Sequence, residues 1–456
     1  MELEGKNVLV LGLGASGLSM ARWLSRRGAR VRVADTRSAP PFLEQLQREV
    51  SGVHVDTGAF RQQSFDGISL LAMSPGVSLS EPLVRAARAR GIPVAGDIEM
   101  FAWERAGMPH SRVIGITGSN GKSTVTEMTG AVCRECAIET VVAGNIGLPV
   151  LDALMQIDDR AARAQPRVFV LELSSFQLET TFSLSAEVAT ILNISEDHLD
   201  RYADMAAYAA AKARVYQGRG KRLVNRDDPR SVALAPAGPR LSFGGDAPAA
   251  PNDWGLSEDK NGHWLMRGRE KLLRTAELQV SGLHNAANAL AALALGSALD
   301  LPVDPGLRAL RNFKGLAHRV EKVAQIADVT YFDDSKGTNV GATVAALEGL
   351  AQKVVLIAGG DGKGQDFAPL AQAVRRNARA VVLIGRDAQR IEKSLSASGV
   401  QLRHAASLPE AVRLSAALAG PGDAVLLSPA CASFDMFRNY EHRAQVFVDA
   451  VRALQH

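Results

Sequence analysis

The chain has 456 residues, of which 46% are hydrophobic and 22% charged, so it holds enough apolar side chains for about three ordinary domains. Its 52 basic and 48 acidic residues give a formal net charge of only +4, which does not indicate nucleic-acid binding. Apolar runs fall short of the ~18 residues of a membrane span, the start lacks a signal-peptide pattern, and three cysteines are too few for a disulfide framework. These features predict a cytoplasmic multi-domain enzyme without membrane insertion.

The first predicted elements form a strand, a glycine-rich turn and a helix. Gly12, Gly14 and Gly17 follow a short apolar strand with the spacing G-x-G-x-x-G. Asp35 ends the next predicted strand, where an acidic residue contacts a ribose in dinucleotide-binding folds. A later apolar run over residues 68–76 ends in a Ser-Pro-Gly turn that can face the same ligand. Taken alone, this unit predicts dinucleotide binding.

The most informative stretch is the strand, glycine-rich turn and helix start at residues 112–124. Backbone N–H groups of such a turn converge on one anion, and the helix N-terminus adds the positive end of its dipole. We expect Lys122 along the outer phosphates of a nucleotide and the Ser123 hydroxyl on Mg²⁺. The match to the P-loop pattern is imperfect, because its first glycine falls on Ile116. We interpret the stretch as a variant phosphate loop that binds ATP, rather than as a glycine-rich turn without a ligand.

Strand-like runs alternate with helical stretches along most of the chain, which is typical of parallel α/β sheets. Strands are predicted near residues 113–117, 140–143, 167–172, 188–193, 221–225, 353–360, 380–385 and 423–428. We expect a helix over 283–295 and short β structure in the irregular stretch 235–270. The predicted fold class is α/β with three domains: a Rossmann-like N-terminal domain (1–110), a P-loop-type central ATPase domain with a parallel sheet (111–315) and a Rossmann-like C-terminal domain (316–456).

Several polar clusters follow predicted strands, at the sheet edge where α/β proteins bind ligands. Glu172 and His198 each follow an apolar strand, and their oxygen and nitrogen atoms suit a second divalent ion beside the phosphate loop. Lys212 lies in a predicted helix, where a lysine taken singly is usually a surface charge, and a lone histidine is usually structural. Further polar loops lie at 333–339, 359–365 and 428–435. Together these clusters indicate a ligand site.

Cys133 and Cys136 form a Cys-x-x-Cys pair in the helix after the phosphate loop, with Cys431 remote in sequence. Because no second pair and no nearby histidine accompany them, we interpret them as buried or semi-buried thiols without a metal or redox role.

The ordered motifs resemble the Mur ligase family, ATP-dependent amide-forming enzymes of peptidoglycan precursor synthesis. The resemblance covers essentially the whole chain and rests on residues 115–124, 144–147, 172–178, 196–202, 284–288, 318–319, 334–339, 359–364 and 428–433. It implies a cytoplasmic ligase of cell wall biogenesis, and thereby a part in cell shape, the cell cycle and cell division. We expect a monomer.

The resemblance implies that D-glutamate is joined to UDP-N-acetylmuramoyl-L-alanine through an acyl phosphate, with ATP and two Mg²⁺ ions. The motifs alone leave D- and L-glutamate open. The N-terminal domain is then UDP-binding, without a nicotinamide, and the C-terminal domain is glutamate-binding. The implied contacts to the UDP substrate are Gly14, Ser16, Gly17, Thr36, Arg37, Ser74, Pro75, Gly76 and Asn145.

The resemblance also assigns roles in the other two domains. The implied ATP-binding residues are Gly118, Ser119, Asn120, Gly121, Lys122, Ser123, Thr124, Asn288, Arg319 (γ-phosphate) and Asp334 (ribose). The implied glutamate-binding residues are Lys336, Thr338, Lys363, Ser433, Phe434 and Tyr440, of which the aromatic pair departs from the family pattern of leucine then phenylalanine. The implied metal ligands are Ser123, Glu172, His198 and Lys212 as a carbamate, and the implied catalytic residues are Lys122, Glu172, His198, Lys212 and Arg319. His198 as a general base is the alternative to its metal role.

Four other functions were weighed against this interpretation. A folylpolyglutamate synthase shares the ATP-ligase core but does not need the unit over residues 1–110. A related Mur ligase that adds L-alanine or a diamino acid is disfavoured by Asp35-Thr36-Arg37 and by the 428–433 loop. A binding protein without turnover is expected to lack one of the implied catalytic residues, and a dehydrogenase needs acid and base groups near residues 12–37.

Overall fold

The computed structural model describes residues 2–157 and 165–455. The described strands form three sheets of five, nine and six strands, and each sheet takes its strands from one continuous part of the chain. Mixed α/β architecture with mainly parallel strands confirms the predicted fold class. Short 3₁₀ turns lie at Gln62–Phe65, Arg214–Tyr216, Thr275–Glu277, Ser396–Ser398 and Ala453–Gln455.

The first sheet is fully parallel, with strand order β3-β2-β1-β4-β5. Its elements are β1 (Asn7–Leu11), α1 (Ala15–Arg26), β2 (Arg30–Asp35), α2 (Leu43–Glu49), β3 (His54–Thr57), β4 (Leu70–Met73), α3 (Pro82–Ala89), β5 (Val94–Ala95) and α4 (Asp97–Arg105). The chain winds to opposite sides of β1, so the strand order reverses there. Ligands of such sheets bind at the carboxyl ends of the strands beside that reversal.

The second sheet has the order β14-β13-β12-β11-β10-β9-β6-β8-β7 and is parallel from β7 to β12. Its strands are β6 (Ser111–Thr117), β7 (Glu139–Gly144), β8 (Arg167–Glu172), β9 (Val188–Ile191), β10 (Lys221–Asn225), β11 (Arg240–Phe243), β12 (Trp254–Asp259), β13 (Gly262–Arg267) and β14 (Glu270–Arg274). Its helices are α5 (Lys122–Glu135), α6 (Val150–Gln156), α7 (Ser175–Glu179), α8 (Met205–Ala213), α9 (Pro229–Leu234), α10 (Leu283–Ala298) and α11 (Val303–Asn312). The predicted short β structure in 235–270 is confirmed, since β11 and β12 extend the sheet in parallel and β12, β13 and β14 continue it as an antiparallel meander.

The third sheet has the order β15-β16-β20-β17-β18-β19, parallel except for the β15–β16 hairpin. Its strands are β15 (Glu321–Ile326), β16 (Val329–Asp333), β17 (Val354–Gly359), β18 (Ala378–Ile384), β19 (Gln401–His404) and β20 (Ala424–Leu427). Its helices are α12 (Val340–Gly349), α13 (Leu370–Asn377), α14 (Ala388–Leu395), α15 (Leu408–Leu418) and α16 (Tyr440–Arg452). Apolar side chains fill both faces of this sheet, as expected for buried parallel strands.

The first and second units share one apolar core, whereas the third has cores of its own. One buried cluster contains Val8 and Phe101 of the first unit with Phe169 of the second, and the rings of Phe101 and Phe169 lie edge to face at 5.0 Å. The two buried clusters of the third unit draw on residues 320–454. The third unit meets the second through polar contacts, described below. Among the described residues, no helix is long and apolar enough to cross a membrane.

Candidate functional site

The phosphate loop joins β6 to α5 through two glycines in conformations that other residues rarely adopt. Gly118 and Gly121 have φ of 153° and 80°. A Cβ on Gly121 would lie 2.8 Å from Oδ1 of Asn288, which a real side chain does not tolerate. No side chain of the described residues caps α5, whose first residue is Lys122. The N–H groups at this helix start are therefore available to a phosphate.

Side chains from the end of β9 hold the loop in shape. Asn193 accepts a hydrogen bond from the Asn120 N–H through Oδ1 (2.8 Å) and donates from Nδ2 to the Asn120 carbonyl (3.1 Å). The Ser119 hydroxyl donates to the Ser195 carbonyl at 3.0 Å. These contacts explain why the predicted strand 188–193 ends at Ile191, since the next residues pair with the loop instead of the sheet.

The Lys122 side chain curls over its own loop. Its Nζ donates to the carbonyls of Gly118 and Ser119, at 2.9 Å each. Burial lowers the pKa of Lys122. The ammonium group lies where the outer phosphates of a nucleotide are expected.

Glu172 ends β8 beside the loop and has one occupied and one unoccupied carboxylate oxygen. Oε1 accepts a hydrogen bond from Nδ2 of Asn145 at 2.7 Å. Oε2 is buried and has no hydrogen-bond partner among the described residues. A buried carboxylate oxygen without a partner is costly unless a cation or donor arrives. Glu172 and Asn145 therefore lie together beside the phosphate loop.

His198 sits in a strained conformation with φ of 56°. Its Nε2 lies 3.6 Å from Oδ2 of Asp197, and its ring lies 4.6 Å from that of Phe176. Burial lowers the pKa of His198 to about 4, against the opposing charge of Asp197 and with the help of Lys363. The imidazole is thus neutral at pH 7 and has a lone pair for a metal ion.

Lys212 is buried, with 1% of its surface exposed, so the general expectation of a surface lysine is wrong here. Its Nζ donates to the Gly118 carbonyl at 2.8 Å and lies 4.7 Å from the ring centre of Tyr208. Burial, and then repulsion by Lys122, lowers the pKa of Lys212 well below its ordinary value. Lys212 therefore lies directly behind the phosphate loop, in surroundings that disfavour its charged form.

A cavity of about 510 Å³ lies between the second and third units. Its wall includes the following predicted site residues: Ser119, Asn120, Gly121, Lys122, Ser123, Thr124, Asn145, Glu172, His198, Asn288, Arg319, Asp334, Lys336 and Thr338. Lys363, Ser433, Phe434, Tyr440 and Lys212 are predicted site residues that lie outside this wall. The cavity is therefore lined jointly by the phosphate loop and by the first loops of the third unit.

Arg319 reaches from the third unit to the phosphate loop. Its Nη2 donates to Oγ of Ser123 at 2.8 Å. The flanking residues His318 and Val320 both have positive φ, at 63° and 50°. Nδ1 of His318 lies 2.7 Å from Oδ2 of the buried Asp333. This anchored turn presents the guanidinium to the loop.

The predicted ribose and glutamate residues cluster at the carboxyl edge of the third sheet. Oδ2 of Asp334 accepts a hydrogen bond from the Ser428 hydroxyl at 2.7 Å, and burial raises the pKa of Asp334 to about 7. Nζ of Lys336 lies 3.7 Å from the ring centre of Tyr440. Ser433 is buried, whereas Phe434 is 74% exposed.

Asp197 is a site residue that the sequence analysis missed. Its Oδ1 pairs with Nζ of Lys363 across the two units. Burial raises its pKa, but the charge and hydrogen bond of Lys363 lead the contributions that outweigh this and hold the pKa of Asp197 below its ordinary value. The sequence signal that could have identified Asp197 is its position directly before His198 in a polar motif.

The first unit arranges its predicted residues at the carboxyl end of β1. Gly17 is required there, because a Cβ would lie 1.9 Å from the Gly12 carbonyl oxygen. Oδ2 of Asp35 accepts from the Leu13 N–H at 2.7 Å and from Nη2 of Arg37 at 2.6 Å. The Asp35 carboxylate is thus occupied, which disfavours the ribose contact of a dinucleotide. Ser16 lies in the first turn of α1, Thr36 lies in the loop after β2, and Ser74, Pro75 and Gly76 lie in the loop after β4.

Arg201 joins this edge to the second unit, a contact that sequence reasoning also missed. Its guanidinium donates to the carbonyls of Pro75 (2.9 Å) and Val77 (3.1 Å) and to the Glu179 carboxylate (2.7 Å). The loop that follows β4 is therefore held against the segment that carries His198.

The cysteines do not contribute to the site. Cys133 and Cys431 are buried and Cys136 is partly buried, and all three are free thiols. Burial raises the pKa of Cys133 to about 12, which keeps it an unreactive thiol near pH 7.

Comparison with solved structures identifies the fold. A UDP-N-acetylmuramate–alanine ligase from Thermotoga maritima has a TM-score of 0.61 at 19% identity, over 98% of this chain and 99% of that chain. A pseudomurein peptide ligase type C from Methanothermus fervidus has a TM-score of 0.58 at 19% identity, over 99% and 100% of the two chains. The arrangement of three units is therefore shared with these peptide ligases.

Comparison with curated proteins gives much higher identity. UDP-N-acetylmuramoylalanine–D-glutamate ligases from Methylobacillus flagellatus and Thiobacillus denitrificans are 57% and 58% identical, each over 100% of this chain and 98% of the relative. The corresponding ligase of Chromobacterium violaceum is 54% identical over 100% of this chain and 99% of its own length. Family descriptions match in the same order: Mur ligase MurD-like N-terminal domain (6–96), Mur ligase middle domain (116–296) and Mur ligase glutamate ligase domain (318–431). With its phosphate loop and its joint cavity, this chain belongs to the Mur ligase family.

Proposed function

We propose that the enzyme joins D-glutamate to UDP-N-acetylmuramoyl-L-alanine at the expense of ATP, in the synthesis of peptidoglycan precursors. The observation that carries the proposal is the cavity of about 510 Å³, walled by the phosphate loop on one side and by Arg319 and Lys336 on the other. Such a cavity suits a reaction in which a phosphoryl group and an amino acid must meet away from water. The full-length relatives named for this reaction support the choice of substrates.

We propose three domains with separate tasks, over residues 1–110, 111–315 and 316–456. Residues 1, 158–164 and 456 of these ranges lie outside the described residues. The first domain binds the uridine diphosphate at the Gly14–Gly17 turn and the loop after β4, the second binds ATP, and the third supplies the glutamate site. The separate apolar cores of the third unit support its independent movement.

The ATP phosphates lie along the phosphate loop in this proposal. The helix start and Lys122 hold the β- and γ-phosphates, and Arg319 holds the γ-phosphate from the opposite side. Asn288 and Asp334 position the nucleoside at the two walls of the cavity. The Arg319–Ser123 contact supports this arrangement, because both groups already face the same point.

The residues present also fit two Mg²⁺ ions. The unpartnered Oε2 of Glu172 and the Ser123 hydroxyl suit the first ion, and the neutral imidazole of His198 suits the second. Bound Mg²⁺ neutralises charge on the transferred phosphoryl oxygens. The buried Lys212 amine, in its unprotonated form, can attack CO₂ and lose a proton, which gives a carbamate anion as a further oxygen ligand. His198 acts here as a ligand and not as a general base.

The chain's own groups then carry the reaction through two steps. With Asn145 orienting the alanyl end, the substrate carboxylate attacks the γ-phosphorus, and ADP leaves with charge held by Lys122 and Arg319. The glutamate amine next attacks the acyl carbon of the acyl phosphate and expels phosphate, and the amine proton passes to the departing phosphate. Closure of the third domain excludes water from this hydrolysable intermediate.

The glutamate lies at the edge of the third sheet in this proposal. Lys336, Thr338, Lys363 and Ser433 contact its two carboxylates, and the exposed Phe434 and the nearby Tyr440 cover it. One chain builds the whole cavity, which supports action as a monomer. A nucleotide-linked sugar substrate supports a cytoplasmic location.

The direct test measures phosphate release with ATP, Mg²⁺ and UDP-N-acetylmuramoyl-L-alanine, with D-glutamate and L-glutamate offered separately. We expect turnover with D-glutamate alone. Turnover with L-glutamate would support the ligase activity but change the proposed stereochemistry of the amino-acid substrate. Intact ATP binding without turnover on either amino acid would overturn the proposed substrates.

A further inference from the structure

Asn339 is a buried residue, 3% exposed, that lies at the start of α12 and faces the phosphate loop. Its Oδ1 accepts a hydrogen bond from the Ala342 N–H at 2.9 Å and so caps the helix. Its Nδ2 donates to Oδ1 of Asn120 at 2.9 Å and to Oδ2 of Asp197 at 3.3 Å. One amide therefore ends a helix of the third unit and also binds two residues of the second.

The two tasks require different atoms of the amide. The oxygen must face the helix N–H groups, so the nitrogen must face the second unit. Serine and aspartate cap helices about as well as asparagine. An ionised aspartate has no donor, and a serine has one short hydroxyl, which cannot both face the helix N–H groups and reach the second unit. An amide at position 339 thus does more than capping requires.

The approach of α12 to the phosphate loop is unusually close. A Cβ on Gly341 would lie 3.0 Å from Nδ2 of Asn120 and 3.1 Å from Oγ of Ser195. The first turn of the helix is therefore pressed against the same loop residue that the Asn339 amide binds. Asn193 fixes the backbone of Asn120, so the contact between Asn339 and Asn120 depends on the conformation of the phosphate loop.

The partners of Asn339 lie on both sides of the proposed reaction. Asn120 belongs to the loop that holds the ATP phosphates. Asp197 precedes His198 and pairs with Lys363, a proposed glutamate residue. Since the third unit meets the second through polar contacts, a donor at this point has a large share in whether the two units close.

We propose that Asn339 is a positioning residue that makes closure of the third unit depend on the shape of the phosphate loop. The Asn339 amide docks on Asn120 and Asp197 only when the loop is correctly formed, and docking brings Arg319 and Lys336 to the cavity. This inference rests on the proposed function, because its readout includes the ligation reaction.

The test uses variants that keep the cap and lose the donor. Asn339→Ser removes the two interdomain hydrogen bonds, and we expect a fall of about tenfold in kcat/KM for glutamate. Asn339→Asp places a carboxylate against Asp197, and we expect a fall of about 100-fold. Asn339→Ser should keep the melting temperature close to that of the unaltered enzyme, because the cap remains, whereas Asn339→Asp should lower it, because two buried carboxylates then lie side by side. Ser407→Asp, at the exposed cap of α15, is the matched control and should change neither quantity.

Closure is measured separately by small-angle scattering with Mg²⁺ and ATP alone. We expect the unaltered enzyme to become more compact, and Asn339→Ser and Asn339→Asp to remain open. Equal kcat/KM and equal compaction in both variants and the unaltered enzyme would overturn the inference. If the unaltered enzyme fails to ligate, the proposed function falls, while the scattering result still decides the role of Asn339.

Discussion

Arg319 and Ser123 lie 196 positions apart in the chain, yet the Arg319 guanidinium donates a 2.8 Å hydrogen bond to the Ser123 hydroxyl. Arg319 comes from the loop before the third sheet, and Ser123 from the first turn of the helix after the phosphate loop. The contact crosses the cavity at the place proposed for the γ-phosphate. This contact brings together groups of the two units that are proposed for phosphoryl transfer.

Replacing Arg319 tests this contact directly. Arg319→Lys keeps the charge but loses the fork that binds two phosphate oxygens at once. We expect kcat to fall by about 100-fold or more, less than the loss of about 1,000-fold or more for removing such an arginine, because lysine keeps the charge. Phosphate release under saturating substrates measures it. Arg308→Lys, at an exposed ion pair with Glu135, should leave kcat unchanged, and a normal kcat in Arg319→Lys would remove Arg319 from the mechanism.

Lys212 should act as a carbamate and not as an ammonium group. Lys212→Ala removes the proposed anionic ligand, so we expect activity to fall by at least about 100-fold and to return in part with added formate or acetate. Restored phosphate release as the carboxylate is titrated measures the effect. Lys353→Ala, an exposed lysine bonded to the Arg376 carbonyl, serves as the control. Loss of activity without rescue would argue against carbamylation.

Glu172 should set the affinity for Mg²⁺. Glu172→Gln keeps an oxygen for the Asn145 amide but removes the charge from the unpartnered Oε2. We expect the Mg²⁺ concentration for half-maximal activity to rise about tenfold or more. Chelation with EDTA should abolish turnover in the unaltered enzyme and leave its fold, followed by circular dichroism, intact. An unchanged Mg²⁺ requirement in Glu172→Gln would contradict the metal role.

Lys336 should make glutamate binding dependent on pH. Burial, and then repulsion by Arg319, lowers the pKa of Lys336 to about 8. A lysine is charged below its pKa, so its hold on a carboxylate is present below pH 8 and is lost as the pH rises through that value. We expect KM for glutamate to rise by up to about tenfold between pH 8 and 9. Lys336→Arg stays charged, so its KM for glutamate should rise much less over this pH range. An equal rise in both enzymes would show that a group other than Lys336 causes the pH dependence.

His318 should position Arg319 through its contact with Asp333. Asparagine tolerates a positive φ and can still bond the Asp333 carboxylate, whereas alanine leaves that buried group unpartnered. We therefore expect His318→Asn to retain about tenfold more kcat/KM for ATP than His318→Ala. Steady-state kinetics with ATP varied measure the ratio. Equal losses in both variants would show that Asp333 does not anchor the turn.

Much of the fold was predictable because its signals are local. The apolar strands, the glycine turns and the helix over 283–295 follow from patterns within about ten residues, and the structure confirms them. The strands within the irregular stretch 235–270 were harder to predict, because their apolar residues do not alternate with a clear period. They gain stability by joining the edge of an existing sheet.

The sequence by itself determined the family, the phosphate loop and most of the groups that carry charge, because these depend on which residue type follows which. The tertiary structure alone decided their surroundings. The lysine at position 212 became buried, the Asp35 carboxylate accepted a hydrogen bond from the N–H of Leu13, 22 positions away, and Asn339 met Asn120 from another unit. Burial and contacts across long stretches of chain set these outcomes, and neither quantity is contained in the local order of residues.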